Sequence, residues 1–178
     1  MNETYIALLR GINVSGQKMI RMEDLKKALG DLNFIDIRTY IQSGNIVFEH
    51  DKTDPGNLAA AIAGVILKHF GFTVPVIVRT RSALGVTFKK NPFLLKTDHD
   101  AGKLHVTFLD RIPDPERECK TNEISFLPDE FVISGEEIYL YCPNGYGRTK
   151  LTSQFFESKL KVVTTTRNWK TVETLLSY

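Results

Sequence analysis

The chain has 178 residues, of which 42% are apolar and 25% charged, with a net charge of +2. That length fits one large domain or two small ones, and either can bury a real core. The small net charge excludes a protein-wide basic field and leaves room only for a local cationic patch. No apolar run approaches the roughly 18 residues of a membrane span. Glu3 stands where a signal peptide would be basic. Cys119 and Cys142 show no paired-motif spacing. The expectation is a cytoplasmic, reduced, disulfide-free protein without a membrane partner.

Thr4 to Arg10 reads as a central strand, with branched and aromatic residues and little alternation. A glycine-bearing loop follows. Met22, Leu25, Leu29 and Leu32 then keep helical spacing, with Glu23, Asp24, Lys26 and Lys27 on the other face. Gly30 weakens the last turn, and Asn33 suits a left-handed cap. Ile35, Ile37, Thr39 and Ile41 alternate with polar residues, a strand with one buried face. Ser43-Gly44 turns the chain into a second strand, Asn45 to Glu49. Asp54-Pro55 announces a helix that runs to Gly71. Val74 to Thr80 is the next strand, and Pro75 places it at an edge or at a strand start. Arg81 to Phe88 reads as a short helix.

The second half repeats the order of elements, though not the residues. Leu104 to Leu109 is a strand. Pro113 to Cys119 is a short helix or turn with Asp114 as cap. Phe131 to Ser134 and Ile138 to Tyr141 form a hairpin. Leu151 to Leu160 is helical, Val162-Val163 is a short last strand, and Asn168 to Leu176 is a final helix. Strand, helix, strand, strand, helix, strand is the split β-α-β order. The expected fold is therefore α+β, with two ferredoxin-like halves whose antiparallel sheets pack as one unit. The expected boundaries are 1–88 for the first half, 89–103 for a linker, and 104–178 for the second half with its terminal helix.

Four stretches carry a further signal: Ala7 to Val14 (A-L-L-R-G-I-N-V), Arg38 to Phe48 (R-T-Y-I-Q-S-G-N-I-V-F), Asn91-Pro92-Phe93, and Thr165 to Val172 (T-T-R-N-W-K-T-V). In order and spacing they resemble the bacterial family catalogued as domain of unknown function 1697. The resemblance extends over essentially the whole chain, although Ser15 and Asn33 stand where the family often has glycine. It implies an α+β fold of two ferredoxin-like halves and assigns no activity.

Short motifs carry less. Gly11 to Lys18 is close to a phosphate-binding P-loop, but Gln17 stands where the gripping lysine is needed and no Ser or Thr follows to hold Mg²⁺. The expected sheet is also antiparallel. Ser15-Gly16-Gln17-Lys18, Ser43-Gly44-Asn45 and Lys170-Thr171 echo penicillin-recognising serine enzymes, yet Ser15 sits in a loop and Val172 replaces a required glycine. His50, His69, His99 and His105 show no metal spacing, and no two carboxylates stand out as an acid–base pair. No cofactor is indicated.

The remaining signal is cationic. Tyr146-Gly147-Arg148-Thr149-Lys150 and Arg167-Asn168-Trp169-Lys170 precede two expected helices, whose N-termini favour anions. Tyr40 and Tyr146 are placed to stack on a base. The plain structural alternative is a set of turns, caps and core residues, with Trp169 in the core and Thr166 and Asn168 as caps. The candidate ligand-binding set is Arg10, Gly11, Asn13, Gly16, Ser43, Asn45, Arg148, Lys150, Arg167 and Asn168. The expected ligand is a phosphorylated small molecule or nucleotide. Nucleic-acid binding and an enzyme with an unrecognised site stand as alternatives.

Overall fold

The computed structural model describes residues 2–14 and 16–178. The chain divides into two compact units, one running to Gly85 and including Tyr178, the other Val86–Ser177. The architecture is α+β, with one four-stranded antiparallel sheet in each unit. Among the described residues no helix is long and apolar enough to cross a membrane.

The first unit runs β1 (Asn2–Leu9), α1 (Met22–Leu29), β2 (Ile35–Tyr40), β3 (Asn45–Asp51), α2 (Pro55–Phe70) and β4 (Val76–Thr80). Its strand order is β2-β3-β1-β4, so β4 is an edge strand, as Pro75 leads one to expect. Tyr5, Ala7 and Leu9 of β1 join Ile46 and Phe48 of β3 in one core with Leu25 and Leu29 of α1 and Ile62 and Ile66 of α2. Burying each large side chain there contributes roughly 1.5–3 kcal/mol. Phe34 stacks on Phe48 with ring centroids 4.0 Å apart. The punctuation is legible residue by residue. Asp54 accepts from Gly56 N and Asn57 N, Gly71 ends α2 at φ 77°, and Asn33 takes φ 54° after a single 3-10 turn, Gly30–Leu32.

β2 departs from the expected alternation. Its register against β3 shifts between Ile35 and Arg38, with Asp36 at φ 49°. The bulge turns Ile35 outward and leaves Ile37 as the buried isoleucine, while the strand stops at Tyr40 and Ile41 lies exposed at φ 51°.

The second unit begins within α3 (Arg81–Lys89) and continues with β5 (Leu104–Leu109), α4 (Pro115–Asn122), β6 (Glu130–Ser134), β7 (Glu137–Tyr141), α5 (Ser153–Leu160), β8 (Thr164–Asn168) and α6 (Trp169–Leu176). Its strand order, β6-β7-β5-β8, matches that of the first sheet position for position. Leu109, Ile138 and Leu140 pack with Leu151, Phe156 and Leu160. The last strand is not Val162-Val163. Val162 is buried beside α5, and the strand is the polar run that follows, Thr164–Asn168. Thr166 therefore lies within a strand and is not a helix cap, whereas Asn168 does cap α6.

The repeat reaches individual hydrogen bonds. Leu9 N donates to Gly44 O and Leu109 N to Glu136 O, both at 2.8 Å; Arg10 N donates to Pro75 O and Asp110 N to Val163 O, both at 3.0 Å. Ile6 pairs with Arg79 as Val106 pairs with Arg167, and both arginines are buried. Each fourth strand runs straight into a helix. Thr80 Oγ1 accepts from Ala83 N, and Asn168 Oδ1 accepts from Thr171 N.

Candidate functional site

In the first unit, β1 delivers the chain to residues 10–21, and the β2–β3 turn lies against that loop. Asn13 makes the junction. At φ 55°, its Oδ1 accepts from Ile20 N at 2.8 Å, and its Nδ2 donates to Ile20 O at 2.9 Å and to Gln42 O at 2.8 Å. Within the loop, Asn13 N donates to Lys18 O and Gln17 N to Val14 O, closing a turn through Gly16 at φ 73°. Ser15, the serine of the S-x-x-K spacing, lies outside the described residues. Lys18 Nζ donates to Thr73 O at 2.8 Å, so this amine secures the loop to the segment before β4.

Gly44 is required by space as well as by conformation. At φ 78°, a Cβ there would sit 2.7 Å from Leu9 Cβ and from Ile12 Cδ1. Next to it Asn45 is wholly buried, and its Nδ2 donates to Tyr40 O at 3.0 Å and to Ser43 Oγ at 3.1 Å. The structure thus gathers Arg10, Gly11, Asn13, Gly16, Ser43 and Asn45 at one end of the first sheet. The side chains of Asn13 and Asn45 build that end, while Gly11, Gly16 and Ser43 are exposed on it.

Beside them is an open depression of about 440 Å³ lined by Asn13, Met19, Ile20, Arg21, Met22, Glu23 and Gln42. The stretch from Arg10 to Met22 holds three cations, Arg10, Lys18 and Arg21, and no carboxylate. Arg21 is exposed. Met19 and Val14 are also exposed, as is Ile41, whose left-handed conformation is costly for a β-branched side chain. Arg21 and Met19 belong to no motif, whereas Gln42 lies within the Arg38 to Phe48 stretch. What marks Arg21 in the sequence is its place in a run of cations with no acid.

In the second unit, the loop from β7 to α5 holds Arg148 and Lys150, both exposed. Gly145 at φ 90° opens a 3-10 turn, Tyr146–Arg148. Thr149 Oγ1 donates to Asp129 Oδ2 at 2.6 Å and accepts from Leu151 N, and Thr152 caps α5. Tyr146 Oη donates to Thr166 Oγ1 at 3.1 Å, and Thr166 shares further hydrogen bonds with Thr107 at 2.7 Å and Ser153 at 3.3 Å. His105 stacks on Tyr146 with centroids 4.8 Å apart, and burial lowers its pKa. This hydroxyl cluster escapes sequence reasoning because it joins Thr107 of β5, Thr166 of β8, Tyr146 of the 3-10 turn and Ser153 of α5.

Arg167 is not a surface cation. Its Nη1 donates to Thr165 Oγ1 at 2.8 Å and to Thr166 O at 2.9 Å, and burial brings its pKa down to about 10. The Asn168 side chain serves as the α6 cap. Cys142 is buried and its thiol is pushed up to about 11, chiefly by desolvation, which keeps it unreactive at neutral pH. Among the described residues no group of three His, Cys, Asp or Glu side chains is arranged to hold a metal ion.

The solved structure of the conserved bacterial protein SP0830 from Streptococcus pneumoniae shares this fold. The TM-score is 0.78 at 21% sequence identity, covering 99% of this chain and 98% of that one. No curated protein matches the chain. A family model described as a protein of unknown function, DUF1697, matches residues 1–139. With that match spanning well over half its length, and the fold agreeing throughout, the chain belongs to the DUF1697 family.

Proposed function

We propose that the loop end of the first unit binds a phosphorylated small molecule of the nucleotide class. The observation that carries this reading is the depression lined by Arg21, Met19, Met22, Glu23 and Gln42, beside a loop fixed by Asn13 and free of carboxylates from Arg10 to Met22. Its volume lies within the roughly 300–1,000 Å³ of small-molecule sites. An arginine suits phosphate, the methionines suit a flat apolar ring, and Glu23 and Gln42 suit hydroxyl and amide edges.

Thermal unfolding against nucleotides, sugar phosphates, inorganic phosphate and short RNA tests the proposal. A ligand at 100 times its dissociation constant adds about 2.7 kcal/mol. The expected result is a shift with one phosphorylated class that is lost in Arg21→Ala. A flat panel, or a shift that survives Arg21→Ala, removes the reading. A single-stranded nucleic acid is the second reading. It is favoured by Tyr40 lying edge-on to Tyr178, 6.1 Å between centroids, with Arg38 5.2 Å over the Tyr178 ring. A steep fall of affinity with salt distinguishes it.

A further inference from the structure

A sheet edge carries unpaired main-chain groups that invite another strand, and proteins ordinarily guard such edges. The edge strands here are β2 and β4 in the first sheet and β6 and β8 in the second. β2 is guarded by its bulge, with Asp36 at φ 49° and Arg38 beside it. β4 starts directly after Pro75 and is buried at Ile77, Val78 and Arg79, and β8 is buried at Thr164, Thr165 and Arg167. β6 has none of these devices. Its register against β7 is unbroken over all 5 residues, and it holds neither proline nor lysine. Val132 at its centre is 39% exposed, and Leu127 just ahead of it is 79% exposed. Among the described residues no strand pairs with the outer side of β6.

The ladder fixes which groups face outward. Leu109 N donates to Glu136 O and Cys142 N to Lys103 O, so the even-numbered positions along β7 bond across towards β5. By alternation Glu137, Tyr139 and Tyr141 bond to β6, at Ser134, Val132 and Glu130. The main-chain N–H and C=O groups of Phe131 and Ile133 therefore point away from the sheet.

This edge complements itself. Laid antiparallel about a two-fold axis at Val132, two copies set Phe131 of each against Ile133 of the other, and every outward group finds a partner. Val132 then meets Val132 in the closer, non-hydrogen-bonded kind of pair. Glu130 falls opposite Ser134, so no like charges are opposed. Beyond that serine lies its β7 neighbour Glu137, and Lys96, whose Nζ donates to Glu130 Oε2 at 2.6 Å, brings a cation to that side. We propose that this chain forms a symmetric dimer through antiparallel β6–β6 pairing, with Val132 at the two-fold axis. The arrangement is closed, because each copy spends its one unguarded edge. The contact is short, so association is of the weak, concentration-dependent kind.

Sedimentation of the full chain from about 1 μM to about 1 mM tests the pairing. The mass is expected to rise from that of one copy to that of two. Val132→Lys and Val132→Glu each set like charges face to face at the axis. Each should weaken association about tenfold, from repulsion and lost apolar contact together. Mixed in equal amounts the two variants should pair again, since only the mixed dimer sets lysine against glutamate. A dimer that survives unweakened in both variants overturns the proposal. Amide exchange in the unaltered chain gives a readout that needs no variant. Raising the concentration should slow Phe131 and Ile133 far more than Val132, which is already bonded to β7. If Phe131 and Ile133 exchange alike at every concentration, or the chain sediments as a monomer throughout, the dimer is excluded and the edge is left to an extended segment of another protein.

Discussion

In the first half the chain leaves β1 by a long loop, residues 10–21, and passes from β3 to α2 through residues 52–54. In the second half the lengths are reversed, with residues 110–114 after β5 and residues 142–152 after β7. The first and third strands of each half run antiparallel, so the two long loops stand at opposite ends of their own sheets. The shared frame needs neither. Each half shows that the corresponding turn can be short while the strand order, the register and the closing hydrogen bonds stay the same.

The charged residues that follow the two first strands occupy matching places. Asp110 serves the frame, its Oδ1 accepting from Val163 N at 2.8 Å and its Oδ2 pairing with Arg111, which also donates to Lys161 O. Arg10 occupies the matching place at the head of the carboxylate-free loop.

The largest break in the symmetry is expected at the two hairpins. Gly44→Ala meets Leu9 and Ile12 at 2.7 Å and forces a side chain into positive φ. It should cost about 3 kcal/mol from overpacking and strain together. Gly135 of the second hairpin, also at positive φ but with nothing within 4 Å of an added Cβ, should lose only about 1 kcal/mol as alanine. Urea unfolding of the two variants measures the gap, and equal losses would mean that the hairpins are equivalent after all.

Asn13→Ala removes three hydrogen bonds from the first long loop and should cost about 2 kcal/mol, with faster amide exchange confined to residues 13–20. Global loosening would show instead that the loop is part of the frame. The finest test uses the two caps. Thr80→Ala and Asn168→Ala should each cost about 1 kcal/mol, and by similar amounts, because both cap a helix that starts directly after a fourth strand. A large difference between them would limit the duplication to the backbone path.

Much of the first half was legible because its burial is carried by apolar periodicity and its boundaries by Asp54, Asn33 and Gly71. The second half was harder where burial is carried by hydroxyls. In β8 the sequence Thr164-Thr165-Thr166-Arg167-Asn168 shows no apolar pattern, yet Thr164, Thr165 and Arg167 are buried, with Thr107 meeting Thr166 side chain to side chain. Val162 and Val163 look more like a strand and are the turn before it. The residue-level repeat stayed hidden because its matching contacts are backbone hydrogen bonds, which leave little trace in side-chain identity.

At the candidate site, the asparagine amides turn inward. Asn13, Asn45 and Asn168 each close onto neighbouring backbone. Nothing in an asparagine's place along the chain tells whether its amide faces solvent or its own main chain. The depression lined by Arg21 and Gln42 forms only where the loop and the hairpin meet, which spacing along the chain does not reveal.

Ile41 brings a trade-off between robustness and use. An exposed β-branched residue held at φ 51° is a poor choice for stability alone. Ile41→Asn is expected to make the chain about 1 kcal/mol more stable by relieving that strain. If the more stable variant also loses its response to the ligand panel, the strained turn is serving recognition. The hairpin would then be a place where the protein sacrifices durability for a surface that the fold by itself has no reason to keep.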